Sequence, residues 1–306
     1  MNFFLVRLIG CFFIVSIVGC AGPVQTGNAP QLQSLPGIPV YAAGDIADCR
    51  RALPENSGAA ATAALIESEL KKNAQSVVLA LGDSTYPNGH QSEFARCYEP
   101  TWGRFKNRTY PAPGNHEYRT PAAADYFQYF GAAAGNDGRG YYSFHVGDWH
   151  VISLNSNLQG DSFSTQMDWL KSELGQSAAR CTLAYWHHPV FSSGEHGNTD
   201  VMLPAWRLLA AANVELVLAA HDHHYERFAP RDHMGKPDSM HGIAQFVVGT
   251  GGARLTLIRP FRKQSESSSN ASHGALKLVL MPGSYAWEFL PVTPGAHDDR
   301  GFGTCH

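Results

Sequence analysis

Four short apolar segments of the chain each lead into a residue of a type that binds metal ions. The segments are residues 39–43, 76–81, 182–186 and 214–220, and the polar residues that follow them are Asp45, Asp83, His187 and His221. Short continuous apolar runs are typical of buried strands, and open α/β sheets bind ligands at the carboxyl ends of their strands. Because the arrangement occurs four times, the sequence predicts an α/β fold with a site at the strand ends.

The rest of the chain alternates between helical and extended patterns. Helices are predicted at residues 59–72, 165–174 and 200–212, and further strands at residues 150–154, 245–248, 276–281 and 287–292. Ser164 or Thr165 is the predicted N-cap of the second helix. The serine-rich residues 265–272 predict an exposed loop. Strands that alternate with helices favour an α/β domain.

Composition narrows the function classes. Hydrophobic residues make up 44% of the chain, which is enough for a sizeable core. The formal charge is −3 and the cations are not clustered, which argues against a nucleic-acid-binding surface. The 15 histidines are about twice the ordinary number, and histidine is the commonest metal ligand. The composition therefore favours a globular, metal-binding protein outside the cytosol.

The N-terminus has the pattern of an export signal. An apolar run of 11 residues from Leu8 to Val18 is too short to span a membrane, and it ends at Gly19-Cys20 like a bacterial lipoprotein box. We therefore expect residues 1–19 to be a signal peptide, Cys20 to carry lipid and residues 20–37 to be a flexible tether. Residues 38–306 would form the catalytic domain of an exported, membrane-anchored lipoprotein, at the outer membrane or on the periplasmic side. An uncleaved membrane anchor is the alternative.

Cys11 belongs to the predicted signal peptide and Cys20 would carry lipid, which leaves four cysteines, at Cys49, Cys97, Cys181 and Cys305. No CxxC pair suggests a zinc site, and an oxidising compartment favours two disulfides. Three pairings are possible, of which we favour Cys49–Cys97 with Cys181–Cys305.

Five motifs carry the polar residues of the predicted site. In chain order they are Gly44-Asp45-Ile46-Ala47, Gly82-Asp83-Ser84-Thr85-Tyr86, Gly114-Asn115-His116-Glu117, Ala184-Tyr185-Trp186-His187 and Ala220-His221-Asp222-His223. Together they resemble the five signature blocks of the purple acid phosphatases, within the calcineurin-like metallophosphoesterases. That family reads DxG, GDxxY, GNH[DE], VxxH and GHxH. Ala47, Ala184 and Ala220 depart from it, but none occupies a ligand position.

The resemblance implies two metal ions and a four-layer αββα sandwich. Fe(III) would be bound by Asp45, Asp83, Tyr86 and His223, and a divalent Fe, Zn or Mn ion by Asp83, Asn115, His187 and His221. Asp83 would bridge the two ions. Hard oxygen donors suit Fe(III), whereas imidazole and amide groups suit a divalent ion. The neighbouring His188 and His224 are alternative ligands.

The resemblance also implies a hydrolase that acts on phosphate esters. His116 would protonate the leaving group and His196 would hold phosphate, while a metal-bound hydroxide attacks phosphorus. Small-molecule phosphomonoesters are the expected substrates. A phosphodiesterase or nucleotide hydrolase on the same site is the first alternative, and a non-catalytic, metal-stabilised surface lipoprotein is the second.

Overall fold

The structure, a computed structural model, describes Met1, residues 35–259 and residues 265–306. The pattern of contacts divides the chain into two units, Met1–Pro30 and Gln31–His306. All of the described secondary structure belongs to the second unit. Three predictions lie outside the described residues: the signal peptide beyond Met1, the lipidation site Cys20 and the tether up to residue 34. In the part that is described, no helix has the length and apolar character needed to cross a membrane.

The secondary structure alternates as the sequence predicts. The strands are β1 (Ile38–Ala43), β2 (Val77–Leu81), β3 (Thr109–Ala112), β4 (Tyr142–Val146), β5 (Trp149–Ser153), β6 (Cys181–Tyr185), β7 (Leu216–Ala219), β8 (Tyr225–Arg231), β9 (Ile243–Val248), β10 (Ser265–Ser269), β11 (Gly274–Met281), β12 (Ser284–Pro291) and β13 (Arg300–Thr304). The α-helices are α1 (Gly58–Leu70), α2 (Gln91–Glu93), α3 (Ala124–Phe130), α4 (Gly160–Gln176) and α5 (Leu203–Ala211). A π-helical turn spans Phe94–Tyr98, and 3₁₀ turns span Pro54–Asn56, Trp102–Arg108, Glu117–Arg119, Pro121–Ala123, Gly131–Ala134 and Asn136–Gly138.

The strands form two mixed sheets. Sheet 1 has the order β13-β12-β11-β1-β2-β3, and sheet 2 has the order β10-β8-β9-β7-β6-β5-β4. Strands β1, β2 and β3 run parallel in sheet 1, as do β5, β6, β7 and β9 in sheet 2. Antiparallel strands complete both sheets. Each of the five motifs lies at the end of one of these parallel strands, so the carboxyl ends of β1, β2, β3, β6 and β7 determine where the site lies.

The apolar side chains form the layers of a four-layer sandwich. Leu216 and Leu218 of β7 join a core cluster that also contains sheet 1 and α1. Val217, between them, points to the opposite face and joins a second cluster with Leu170 of α4 and Trp206 of α5. This two-residue alternation places one sheet face against the other sheet and the other face against helices. The predicted αββα fold is confirmed.

Two of the local predictions are wrong. Helix α4 begins at Gly160, so Ser164 and Thr165 lie inside it, and their hydroxyls donate to the carbonyls of Gly160 and Asp161 at 3.2 and 2.8 Å. Because these hydroxyls form hydrogen bonds with carbonyls of the preceding turn, they do not serve as the N-cap. Residues 265–269 of the predicted serine-rich loop are strand β10, which pairs with β8 at the edge of sheet 2.

Two disulfides join distant parts of the chain in the pairing that the sequence analysis favours. Cys49 is bonded to Cys97, and Cys181 to Cys305. The first holds the loop after β1 against the π-helical turn. The second joins the first residue of β6 to the segment after β13, at the end of β6 remote from His187. One disulfide therefore lies on the side of the predicted site and the other on the far side.

Candidate metal centre

The predicted ligands lie just beyond the carboxyl ends of five parallel strands. They are Asp45 after β1, Asp83 and Tyr86 after β2, Asn115 after β3, His187 after β6, and His221 and His223 after β7. Sheet 1 therefore supplies only oxygen donors, and sheet 2 only nitrogen donors. We call Asp45, Asp83, Tyr86 and Asn115 the oxygen half of the centre, and His187, His221 and His223 the imidazole half.

The turns that carry the ligands have unusual backbones. Asp45, Asp83 and His221 all have positive φ angles, of 56°, 48° and 69°. Non-glycine residues seldom occupy this region, and such strain is concentrated at functional sites. Gly114 permits a close approach, because a Cβ there would lie 2.2 Å from Asp83 Oδ1. The sharp turns bring the ligand side chains back over the strand ends.

The four predicted ligands of the first metal meet at one point. The Tyr86 hydroxyl donates to Asp45 Oδ1 at 2.7 Å and lies 3.2 Å from both Asp83 Oδ2 and His223 Nε2. His223 Nε2 is 3.3 Å from Asp45 Oδ1. Two carboxylates, a phenol and an imidazole form a donor set that suits a hard metal ion.

The predicted ligands of the second metal form an adjoining cluster. His187 Nε2 lies 3.1 Å from Asn115 Oδ1 and 3.2 Å from His221 Nδ1. The same nitrogen is 3.4 Å from Asp83 Oδ2. Asp83 Oδ2 is thus close to Tyr86 on one side and to His187 on the other. This is the position that a bridging carboxylate requires.

Burial and charge set the protonation of the centre. Burial alone would raise the pKa of the Asp83 and Asp45 carboxyls, but His187 and His223 beside them hold both values below the usual range. Against the opposing effect of their own burial, those carboxylates raise the pKa of His187 and His223 to about 9. Burial, with Asp45 and Asp83, also raises the pKa of Tyr86 well above its usual value. A metal ion bound by these groups would therefore have to displace protons from them.

The third predicted imidazole ligand, His221, is neutral. Burial, together with the nearby His187 and His188 rings, lowers the pKa of His221 to about 2. A neutral imidazole is the form that binds a metal. The donor sets of both halves therefore fit the predicted metals.

The two predicted catalytic histidines flank the centre without joining the ligand cluster. His116 packs its ring 4.4 Å from that of Tyr86, with Nδ1 on the Pro87 carbonyl at 2.5 Å and Nε2 at 3.7 Å from Asp83 Oδ2. The exposed His196 packs 4.3 Å from the His221 ring. One histidine thus borders each half of the centre.

The two alternative ligands occupy different places. His188 lies in the site, since its ring is 4.5 Å from that of His221, and its Nδ1 contacts the Ser156 hydroxyl at 2.8 Å. Burial and the neighbouring His187 lower the pKa of His188 to about 3. His224 is buried, with Nε2 on the Glu226 carboxylate at 3.0 Å. His224 therefore has a structural partner, and His188 remains at the edge of the site.

A family model for calcineurin-like phosphoesterases matches residues 38–225. The chain belongs to this family. The matched range covers more than half of the sequence and contains all seven predicted ligands. Membership implies a dinuclear metal site, which agrees with the two adjoining donor clusters.

Purple acid phosphatases are among the relatives of this chain. Purple acid phosphatase 18 of Arabidopsis thaliana is 31% identical over 185 residues, which cover 54% of this chain and 42% of the relative. Purple acid phosphatase 21 of the same plant is 29% identical over 240 residues, covering 69% and 53%. The chain spans about half the length of these curated relatives.

Solved structures show the same fold. The purple acid phosphatase PPD1 from yellow lupin seeds superposes with a TM-score of 0.71 at 17% identity, over 90% of this chain and 55% of that one. The prediction of a purple acid phosphatase-like metallophosphoesterase, a class of phosphate ester hydrolases, is confirmed at the level of family and fold.

Two buried carboxylates hold loops of the candidate site in place, and the sequence analysis assigned neither of them a role. Glu117 accepts hydrogen bonds from the backbone N–H groups of Gly114, Asp83 and Ser84 at 2.7, 3.0 and 2.8 Å. It joins the loops after β2 and β3. Burial and the nearby Asp83 raise the pKa of Glu117 to about 8. Glu117 is the fourth residue of the motif that contains Asn115, and this position was the signal in the sequence for its role.

Asp222 lies between His221 and His223, and it holds the loop of His196 rather than a predicted ligand. It accepts hydrogen bonds from the backbone N–H groups of His196 and Gly197 at 2.9 and 3.2 Å, and from the Ser192 hydroxyl. The loop that carries His196 is thereby fixed beside His221. A buried aspartate between two predicted ligands was the signal for this role.

Proposed function

We propose that this chain is an exported phosphatase that hydrolyses phosphomonoesters at a dinuclear metal centre. The observation that carries the proposal is the place of Asp83 Oδ2, which lies 3.2 Å from the Tyr86 hydroxyl and 3.4 Å from His187 Nε2. One carboxylate oxygen is thus within reach of both donor sets. Two ions bound in this way would activate water and neutralise the charge of the phosphoryl group.

The proposed metals follow from the donors. Asp45, Asp83, Tyr86 and His223 offer mainly hard oxygen atoms, which favours Fe(III) at the first position. Asp83, Asn115, His187 and His221 offer a mixed set, which favours a divalent Fe, Zn or Mn ion at the second. Glu117 keeps the oxygen ligands in place through the backbone of their loops.

The two histidines divide the remaining work. Because the Nδ1–H of His116 donates to the Pro87 carbonyl, Nε2 is the nitrogen available to exchange a proton with substrate. We assign to His116 the protonation of the departing alkoxide. His196, held by Asp222 through its backbone, is assigned to the phosphate oxygens as the charge develops.

A metal analysis combined with an ester panel tests the proposal. Fully metallated protein should contain two ions per chain and should hydrolyse p-nitrophenyl phosphate about tenfold faster or more, in kcat/KM, than bis(p-nitrophenyl) phosphate. Chelated protein that has been reloaded with metal is the control for intact folding. A preference for the bis-ester would make the chain a phosphodiesterase. No turnover of either ester would favour a non-catalytic lipoprotein.

The assignment of Tyr86 has its own spectroscopic test. A phenolate on Fe(III) gives a visible charge-transfer band, and Tyr86→Phe should abolish it while the ring remains in place. Iron content must be measured at the same time, because Zn or Mn at both positions would be colourless. Iron-loaded wild-type protein without a band, or a band that survives the substitution, would show that Tyr86 is not a ligand.

Export and lipid anchoring belong to the same proposal. Both disulfides suit an oxidising compartment, which agrees with the predicted signal. Wild-type protein should occur in the membrane fraction, and Cys20→Ala should lose acylation. A mature, unlipidated N-terminus beyond Cys20 would rule the anchor out.

A further inference from the structure

Two cavities flank the metal centre, one beside Asn115 and one beside Tyr86. The cavity beside Asn115 has a volume of about 490 Å³ and is lined in part by Asn115, Tyr118, Asn157, Gln159, His188 and Thr199. We call it the ester cavity. Its volume falls within the ~300–1,000 Å³ of typical small-molecule sites.

The ester cavity borders the second-metal position directly. Asn115 Oδ1 is 3.1 Å from His187 Nε2, and the His188 ring is 4.5 Å from that of His221. Two residues of its wall therefore touch predicted ligands. A phosphate held at the centre would have room on this side for the group esterified to it.

The wall of the ester cavity is uncharged but rich in hydrogen-bonding groups. Its described lining contains no Asp, Glu, Lys or Arg. The Tyr118 hydroxyl accepts from Asn155 Nδ2 at 2.7 Å and keeps its own proton to donate. The exposed side-chain amide of Gln159 makes no hydrogen bond within residues 35–259 and 265–306. Neutral donors and acceptors match hydroxyl groups, whereas an unpaired charge placed here would lose hydration without compensation.

The cavity beside Tyr86 has the opposite character. It measures about 240 Å³, and its wall includes Arg50, Arg96 and Glu93. Arg50 is held by Asp48 in two hydrogen bonds of 2.8 and 2.7 Å, while Arg96 forms no ion pair in the described part of the chain. Cationic side chains thus line this cavity and not the described wall of the ester cavity.

We propose that the ester cavity receives the alcohol portion of the substrate and selects uncharged, hydroxyl-rich alcohols, as in sugar monophosphates. The proposal rests on the phosphatase function proposed above. Asn115 and His188 set the depth of the cavity at the metal centre, and Gln159, Thr199 and Tyr118 offer hydrogen bonds to sugar hydroxyls.

A matched pair of substrates tests this selection. Glucose 6-phosphate and 6-phosphogluconate are similar in size, but the second carries an additional carboxylate. Metallated wild-type protein should favour glucose 6-phosphate by about tenfold in kcat/KM. Gln159→Lys should reduce this ratio by about tenfold, because a cation in the wall would attract the carboxylate. Gln159→Met, which is of similar length and uncharged, should lower activity on glucose 6-phosphate without attracting the acid.

Arg96→Ala in the opposite cavity is the control and should leave the wild-type ratio within about twofold. A ratio that moves with Arg96→Ala and not with Gln159→Lys would overturn the proposal, since the ester group would then lie beside Tyr86. Equal rates on both sugars in wild-type protein would also overturn it. The same preparation is also assayed on p-nitrophenyl phosphate. If the proposed phosphatase function is wrong, no ester is cleaved. If only the selection of the alcohol is wrong, p-nitrophenyl phosphate is still hydrolysed.

Discussion

The oxygen half and the imidazole half of the metal centre come from different sheets and are held in different ways. Asp45 and Asp83 are buried at strained positions, and the loops around Asp83 are tied down by Glu117. The imidazole half is anchored through ring nitrogens, with His187 Nδ1 on the Leu81 carbonyl at 2.9 Å and His223 Nδ1 on the Arg254 carbonyl at 2.7 Å. Such partners orient imidazoles and fix which nitrogen faces the metal.

The centre lies where the two sheets meet, and each half is held by a residue of the other sheet. Leu81 ends β2, so the His187 of sheet 2 is oriented by a carbonyl of sheet 1. In the reverse direction, the His221 N–H donates to Asp45 Oδ2 at 2.8 Å. Each half therefore depends on the other for its position. Metal binding should join the two sheets, and removal of one half should weaken the other.

The largest effect is expected from Asp83→Ala, because this residue is proposed to serve both halves. Asp83→Ala should lose both ions. Because each ion contributes several kcal/mol of transition-state stabilisation, activity should fall by about 10⁴-fold or more. Metal content and kcat/KM check this. A variant that retained two ions per chain would show that the halves bind metal independently.

The two flanking histidines should affect rate without affecting metal content. His116→Ala should keep both ions and lose about 10²–10⁴-fold in kcat, the usual range for general acid–base catalysis. An activated ester whose leaving group needs no proton should be much less sensitive to the substitution. Normal turnover by His116→Ala on an alkyl phosphate would contradict the assignment.

Substitutions of Glu117 and Asp222 test whether the two halves of the centre are held in different ways. Glu117→Gln should weaken metal binding by about 10–100-fold, because it disturbs the loops that carry Asp83 and Asn115. Asp222→Asn should retain metal affinity more fully and reduce kcat, because the Asp222 carboxylate accepts hydrogen bonds from the His196 loop rather than from the loops of the predicted ligands. Titration calorimetry and steady-state kinetics measure the two effects. Identical profiles for the two variants would remove the distinction between the halves.

The smallest effect concerns pH and the imidazole half. In chelated protein, His187 and His223 have pKa values raised to about 9, so the stability that they contribute is full below pH 6.5 and is lost as the pH rises through 9. Metal affinity should increase over the same interval, because fewer protons must be displaced. The Tm of chelated protein should therefore fall between pH 6.5 and 9 while that of metallated protein holds. Parallel Tm curves would contradict the raised pKa values.

The sequence was enough to predict the donors of the candidate metal centre, because every predicted ligand follows the end of a parallel strand within a few residues. A run of apolar residues that ends in Gly-Asp or in His-x-His is a local signal, and parallel strands bring such signals to one edge. The five motifs therefore led to the family, the αββα fold and the donor set before any contact was known. The favoured disulfide pairing agrees with the structure as well.

Other features of the protein depend on contacts between residues that are distant in the chain, and only the tertiary structure decided them. Strand β10 has no apolar periodicity, and it is a strand because its backbone pairs with β8 at a sheet edge. The N-terminus of α4 was misplaced because Ser164 and Thr165 found partners inside the helix. Glu117 and Asp222 acquired their roles from backbone N–H groups that the fold delivers to them. The ester cavity has the same origin, since its walls come from loops that only folding brings together, and no local pattern encodes such a space.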